Sequence, residues 1–223
     1  MWRDERGMAL VLVLLCAMLF LALSGALVTV VSSEATISAT FREGSIALGA
    51  AEAAIVRVLP DLAAAPDMNA ILRGAAFSSF LDGPPGGPRL LPDGTSLDLT
   101  AATNFQRCGE ETCDDARMNA VTAERPWGVN NPRWQIYGSG WVRDLTPRTA
   151  DAPHAYVVVW IGDDPLETDG DPLTDDAEVS AEGHDVVLLR AAAFGAYSVR
   201  RRIEVTARRD AGALRITSWR EVR

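Results

Sequence analysis

Met8-Ala-Leu-Val-Leu-Val-Leu-Leu-Cys16-Ala-Met-Leu-Phe-Leu-Ala-Leu-Ser24-Gly25-Ala-Leu-Val-Thr-Val-Val-Ser32-Ser33 is an uncharged, mostly apolar run of 26 residues, and Gly7 stands directly before it. A helix rises about 1.5 Å per residue, so the run reaches roughly 39 Å, enough to cross a hydrocarbon core of about 30 Å. The stretch therefore reads as one membrane span close to the N-terminus. Arg3 and Arg6, on its N-terminal side, favour a cytoplasmic start and an exported remainder.

Three kinds of segment share this look. A cleaved secretory signal has a shorter apolar core, roughly 7–15 residues, although Ser24-Gly25-Ala26 imitates its small-residue cut site. A plain N-terminal anchor is the second kind. The third is a prepilin leader, cut on the cytoplasmic side of the apolar run.

Helical periodicity continues beyond the span. Ile37, Phe41, Leu48, Ile55 and Leu59 fall within roughly 40° of one another at about 100° per residue, which predicts one stripe facing a partner. Ala47, Ala50, Ala51, Ala53 and Ala54 favour helix, and Pro60 marks an end. The expectation is one helix from Met8 to Leu59, roughly 78 Å long, with Gly25, Gly44 and Gly49 as soft points. The alternative is two helices broken near Ser32-Ser33.

The stretch Arg6-Gly7-Met8-Ala9-Leu10-Val11-Leu12-Val13-Leu14-Leu15 resembles the start of minor pilins of the PilX type and of the K-type tip pseudopilin of type II secretion. The likeness continues at Phe41-Arg42-Glu43 and at Ala50-Ala51-Glu52-Ala53-Ala54, and covers about the first 60 residues. It implies cleavage by a prepilin peptidase between Gly7 and Met8, with Met8 as the N-methylated new terminus. Pilins usually carry a glutamate five residues into the mature chain, where Leu12 stands here. That glutamate is thought to pair with the terminal amine of a neighbouring subunit. An unpaired charge in lipid costs several kcal/mol, so a subunit without it gains less by docking beneath another, which favours a place at the filament tip.

The resemblance implies a type IV pilin-like α+β fold, and partners among other minor pilins, the major pilin and inner-membrane lipid, met through the first helix. The expected layout is leader 1–7, membrane and assembly half of the helix 8–33, amphipathic half 34–60, and exported globular domain 61–223. The expected function is priming of type IV pilus assembly at or near the tip, from the bacterial inner membrane to the cell surface. The alternatives are a tip pseudopilin of type II secretion, and an anchored adhesin or calcium-dependent binding module.

Composition agrees with one exported domain. The 21 basic residues are all arginine, against 30 acidic ones, for a net charge of −9. An acidic domain is repelled by nucleic acid and anionic lipid, so no nucleic-acid partner is expected. Cys16 lies in the apolar run, whereas Cys108 and Cys113 can close a small disulfide loop in an oxidising compartment. A two-thiolate metal site is the rival reading, with His154 and His184 the histidines on hand.

The last 90 or so residues read as antiparallel sheet from their aromatic and β-branched content: Trp134–Arg143, Ala155–Ile161, Asp185–Arg190, Ser198–Arg208 and Leu214–Glu221, a meander of about four strands on the helical stripe. Val199, Ile203, Val205 and Ala207 share one face of the fourth segment; Arg200, Arg202, Glu204, Thr206 and Arg208 share the other. Asn69–Leu81 reads as one short helix, and residues 90–129 as irregular with short strands.

The densest chemistry lies between Gly162 and Glu178, where eight carboxylates occupy 16 residues. Such density repels itself unless hydrated or bridged, and calcium takes about six to eight oxygen ligands. Asp163, Asp164, Glu167, Asp169, Asp171 and Asp175 are the candidate calcium ligands. The rival is a solvated loop paired with Arg200, Arg201, Arg202, Arg208 and Arg209. The run fails the EF-hand spacing, and no nucleotide-binding, haem-attachment or nucleophile motif appears, so no enzymatic activity is expected.

Overall fold

The structure is a computed structural model that describes residues 6–145, 154–167, 169–175, 183–210 and 213–222. Helix α1 runs without a break over Arg6–Ala63, 58 residues. No interruption occurs at Ser32-Ser33. Instead Thr29, Ser32, Ser33, Thr36 and Thr40 fold their hydroxyls back on carbonyls three or four residues earlier, at 2.7–3.0 Å, which satisfies these polar groups within the helix itself. Pro60 lies inside the last turn, where its missing N–H costs one hydrogen bond to Val56. The helix therefore passes Leu59 and stops at Ala63.

The chain divides into two compact units, residues 1–42 and 43–223. In the first, the described side chains from Met8 onward are nearly all exposed, among them Leu12, Phe20 and Leu27. Its best apolar window has a mean hydropathy of 2.8 and is 0% buried, so by length and composition the helix is able to cross a membrane.

In the second unit the sheet is a five-stranded antiparallel meander: β3 Gln135–Trp141, β4 Tyr156–Asp163, β5 Val186–Phe194, β6 Arg200–Asp210 and β7 Ala213–Val222. A separate hairpin joins β1 Pro88–Leu90 to β2 Ser96–Asp98. The segments expected from the sequence are all present, and they make a meander of five strands where about four were expected. Alternation sorts their side chains: Val157, Val159, Ile161, Leu189, Ile203, Val205 and Ala207 line the inner face against α1, whereas Tyr156, Val158, Trp160, Ala192 and Phe194 line the outer one. This is the α+β, pilin-like arrangement, with a long N-terminal helix packed on an antiparallel sheet.

The contact stripe on α1 differs from the expected one. Ala47, Ala50, Ala51, Ala54, Ile55, Val58 and Leu62 are buried, Leu48 and Leu59 are flanking, and Ile37 and Phe41 are 68% and 74% exposed. Small alanine side chains let the helix axis approach the sheet, and the sheet's branched residues supply the volume. The seam is therefore centred on alanines rather than on the largest apolar residues.

The segment 69–81 is not one helix. Helix α2 spans Met68–Leu72 only, and Gly74 at φ +69° turns the chain out of it. Residues 78–82 then run beside β3: Ser78 and Asp82 donate N–H groups to Tyr137 and Ser139 carbonyls at 2.8 Å, and Ser139 donates to Phe80 at 2.9 Å. The backbone finds its partners in the sheet edge, which outweighs a weak local helix preference.

The stretch expected to be irregular contains helix α3, Leu99–Cys108, on the outer face of the sheet. Asp98 caps its first turn by accepting Ala101 N–H at 2.8 Å, and Gly109 at φ +76° ends it. Leu99, Ala102, Thr103 and Gln106 are its buried face. A single turn, α4 Asp115–Met118, follows. Cys108 and Cys113 form the disulfide, with Cα atoms 5.8 Å apart, and close the loop between α3 and α4.

Candidate functional site

The acidic run leaves the sheet at the end of β4 and returns at the start of β5. The fold sorts its expected cation ligands into three groups. Asp163, Asp164 and Glu167 are buried, at 3%, 8% and 1% exposure. Asp169 and Asp171 are exposed. Asp175 lies with His184 and Asp185. Asp176 and Glu178, also part of the run, lie outside the described residues.

Most of these carboxylates are turned to their own backbone. Asp164 accepts Leu166 N–H at 3.1 Å, Asp169 accepts Asp171 N–H at 2.9 Å, and Asp171 accepts Leu173 N–H at 3.3 Å. These are local turns of the kind Asp residues form readily. Asp175 accepts Asp185 N–H at 2.8 Å and donates its own N–H to Asn69 at 2.8 Å, tying the loop to α2. Burial raises the carboxyl groups of Asp164 and Asp175 above the usual range.

Asp163 closes β4 on the face of Val159 and Ile161, where burial, then the nearby charge of Glu167, push its carboxyl up to about 9. Its Oδ1 has no hydrogen-bond partner among the described residues. Glu167 is packed under Gly183, whose φ of +106° suits glycine and whose missing Cβ leaves room for the Glu167 stem.

Among the described residues, the group of three or more Asp, Glu, His or Cys side chains whose ligand atoms all lie within 4.8 Å of one another is Asp175, His184 and Asp185. His184 stands between the two acids, with Nδ1 3.8 Å from Asp175 and Nε2 3.6 Å from Asp185. Asp185 is also engaged by Arg209, whose Nε and Nη2 lie 2.9 and 2.8 Å from Oδ1. This trio shares Asp175 with the six expected calcium ligands and adds a nitrogen donor, while Arg209 already occupies one oxygen of Asp185. Among the arginines weighed as counter-ions, Arg209 reaches the loop, Arg208 lies within the field of Asp164, Arg201 pairs with Glu221 at 3.1 Å, and Arg200 stacks over Phe194 at 5.1 Å.

The other expected site residues lie on α1 and at its foot. Gly7, Met8 and Leu12 fall in the first two turns of the helix, with Met8 and Leu12 71% and 62% exposed. Residues 1–5 of the expected leader lie outside the described residues.

Two polar centres were not read from the sequence. Asp61, in the last turn of α1, accepts Ser78 Oγ, Ser79 N–H and Ser79 Oγ at 2.6–2.8 Å, and pairs with Arg57 at 3.2 Å. On the outer face, Trp160 donates its indole N–H to Thr103 at 2.9 Å, and Arg190 bridges Gln106 and Glu204 while lying 4.4 Å over the Trp134 ring. Burial alone would raise Glu204; Arg190 and Arg220 outweigh it and hold the carboxyl low. The Ser78-Ser79 pair, ready to meet a helix-terminal acid, was the signal available for the first centre. Comparisons with family models, with curated proteins and with solved structures return no match.

Proposed function

We propose that this chain is a minor pilin that primes assembly of a type IV pilus and sits at or near its tip. The observation that carries the reading is the division of labour along α1. Its first part presents an apolar surface with 0% of its best window buried, and its last part, from Ala47 to Leu62, is the spine of an antiparallel sheet domain. A helix so divided suits a subunit held in the bilayer before assembly and packed against other subunits' helices afterwards. Leu12, exposed where pilins usually hold a glutamate, supports a terminal rather than a repeating place. The buried carboxylates of the acidic loop serve the domain's own architecture in this reading, and no reaction is assigned to them.

Mass spectrometry of the chain recovered from membranes of the producing cell tests the assignment. A mature N-terminus at Met8 carrying an added methyl group is the expected result. An intact Met1, or a cut after Ala26, would remove the prepilin reading. Deletion of the gene should also reduce surface pili, and normal piliation would count against the priming role.

A further inference from the structure

The meander ends on two unlike edges. Along β3, residues 78–82 occupy the edge with three backbone hydrogen bonds of 2.8–2.9 Å. At the other end β7 pairs with β6 alone among the described residues, and its ten positions are exposed apart from the half-buried Leu214 and Val222. A long open edge presents a row of unpaired N–H and C=O groups, which is a template for another strand.

The two faces at this edge differ in chemistry. On the inner face Ile216 stands opposite Ala207 and Trp219 opposite Val205, both large side chains 46–47% exposed. On the outer face Arg208 stands opposite Arg215 in register. Arg200 and Arg220 share that face, with Glu204, which Arg190 and Arg220 already hold, Asp210 at the turn end, and Asp164 within reach of Arg208's charge. Like charges directly opposite one another destabilise a ladder. Here they concentrate positive charge on one rim of a chain whose net charge is −9.

We propose that β7 is a docking edge for an extended acidic strand of another protein, which adds to the sheet, sets its carboxylates beside Arg215, with Arg208 behind it on β6, and lays its apolar side chains on Ile216 and Trp219. Alternation along the incoming strand delivers the two chemistries to the two faces. A second copy of β7 fits poorly, because it would bring a further Arg215 and Arg220 to a face already in excess of arginine. The β7 edge is open to such a strand whether or not the chain belongs to a pilus.

The test titrates the full chain in detergent micelles at low salt with a fluorescent peptide of alternating Glu and Val, matched in length to β7, and with its Lys–Val counterpart. The expected result is saturable binding of the acidic peptide, about tenfold tighter than the basic one, with slowed amide exchange along β7. The Arg208→Glu/Arg215→Glu variant should reverse the preference. Both positions are exposed, and the milder Arg215→Gln, which should weaken acidic binding alone, serves if the double variant misfolds. Binding of neither peptide, equal binding of both, or binding that leaves β7 exchange unchanged would overturn the proposal. So would self-association through β7 that excludes the peptide, which would assign the edge to a second copy.

Discussion

Asp61 and Ser79 join the end of α1 to the strip of chain that seals β3, through one carboxylate oxygen that accepts both the N–H and the hydroxyl of Ser79 at 2.7 and 2.8 Å. Ser78 and Arg57 complete the cluster, and together they hold Asp61 at about 2 even though burial works in the opposite direction. Loss of charged hydrogen bonds of this kind costs about 1–3 kcal/mol. Asp61→Ala should lower the urea midpoint accordingly and accelerate amide exchange at residues 78–82. Because the folded value lies below the ordinary 3.8, the contribution is present above that pH and is lost as pH falls toward 2. Urea unfolding of wild type and variant at pH 6 and pH 2.5 should therefore differ more at the higher pH.

Asp163 has the opposite sign. Its carboxyl is raised to about 9, so the folded state holds a proton that the unfolded chain, titrating near 3.8, gives up. Stability from this group is full below about 4 and declines as pH rises toward 9. Asp163→Asn keeps the shape and removes the titration. The variant should melt above wild type at pH 8 and close to it at pH 4, as followed by circular dichroism. A variant that melts below wild type at both values would show that the ionised form is favoured in the fold.

The bond from Trp160 Nε1 to Thr103 Oγ1 ties the sheet's outer face to α3, with Trp160 fully buried. Thr103→Val preserves volume and leaves the indole N–H without that partner, at a cost of about 1–3 kcal/mol in chemical denaturation. Thr103→Ser should recover most of the loss. If valine instead matches wild type and serine is the destabilised variant, the methyl group rather than the hydrogen bond matters at this position.

The disulfide closes six residues from Cys108 to Cys113, between α3 and α4. The chain-entropy treatment assigns so small a loop about 2 kcal/mol. Cys108→Ser/Cys113→Ser should lower the melting temperature by a few degrees while leaving the far-ultraviolet spectrum of the sheet unchanged, and the variant should no longer respond to reductant.

How far the sequence could be read follows from the range of the forces involved. The strands were legible because alternation is local: Ile203, Val205 and Ala207 needed nothing beyond their spacing to declare a face. Helix α3 was not, because its ten residues offer a narrow buried stripe of Leu99, Ala102, Thr103 and Gln106 that depends on Trp160 and Arg190 for partners. The acidic run was legible as chemistry and not as geometry. Density left a shared cation and a solvated loop both open, and spacing alone did not show that Asp169 and Asp171 turn to neighbouring N–H groups while Asp163 and Glu167 are drawn inward. His184 and Asp185 join Asp175 only after the loop returns to β5.

The helical seam offers the sharpest check on this account. If alanines set the approach of α1 to the sheet, a longer side chain at Ala51, which is 0% exposed, has no room to occupy. Ala51→Leu should then destabilise the domain by about 1–3 kcal/mol through overpacking. Phe41, although larger and more apolar, is 74% exposed, and Phe41→Ala should leave the denaturation midpoint of the sheet domain unchanged. The two variants, unfolded side by side in urea with the full chain in micelles, separate the alternatives: a stripe through Ile37 and Phe41 predicts the reverse order of damage.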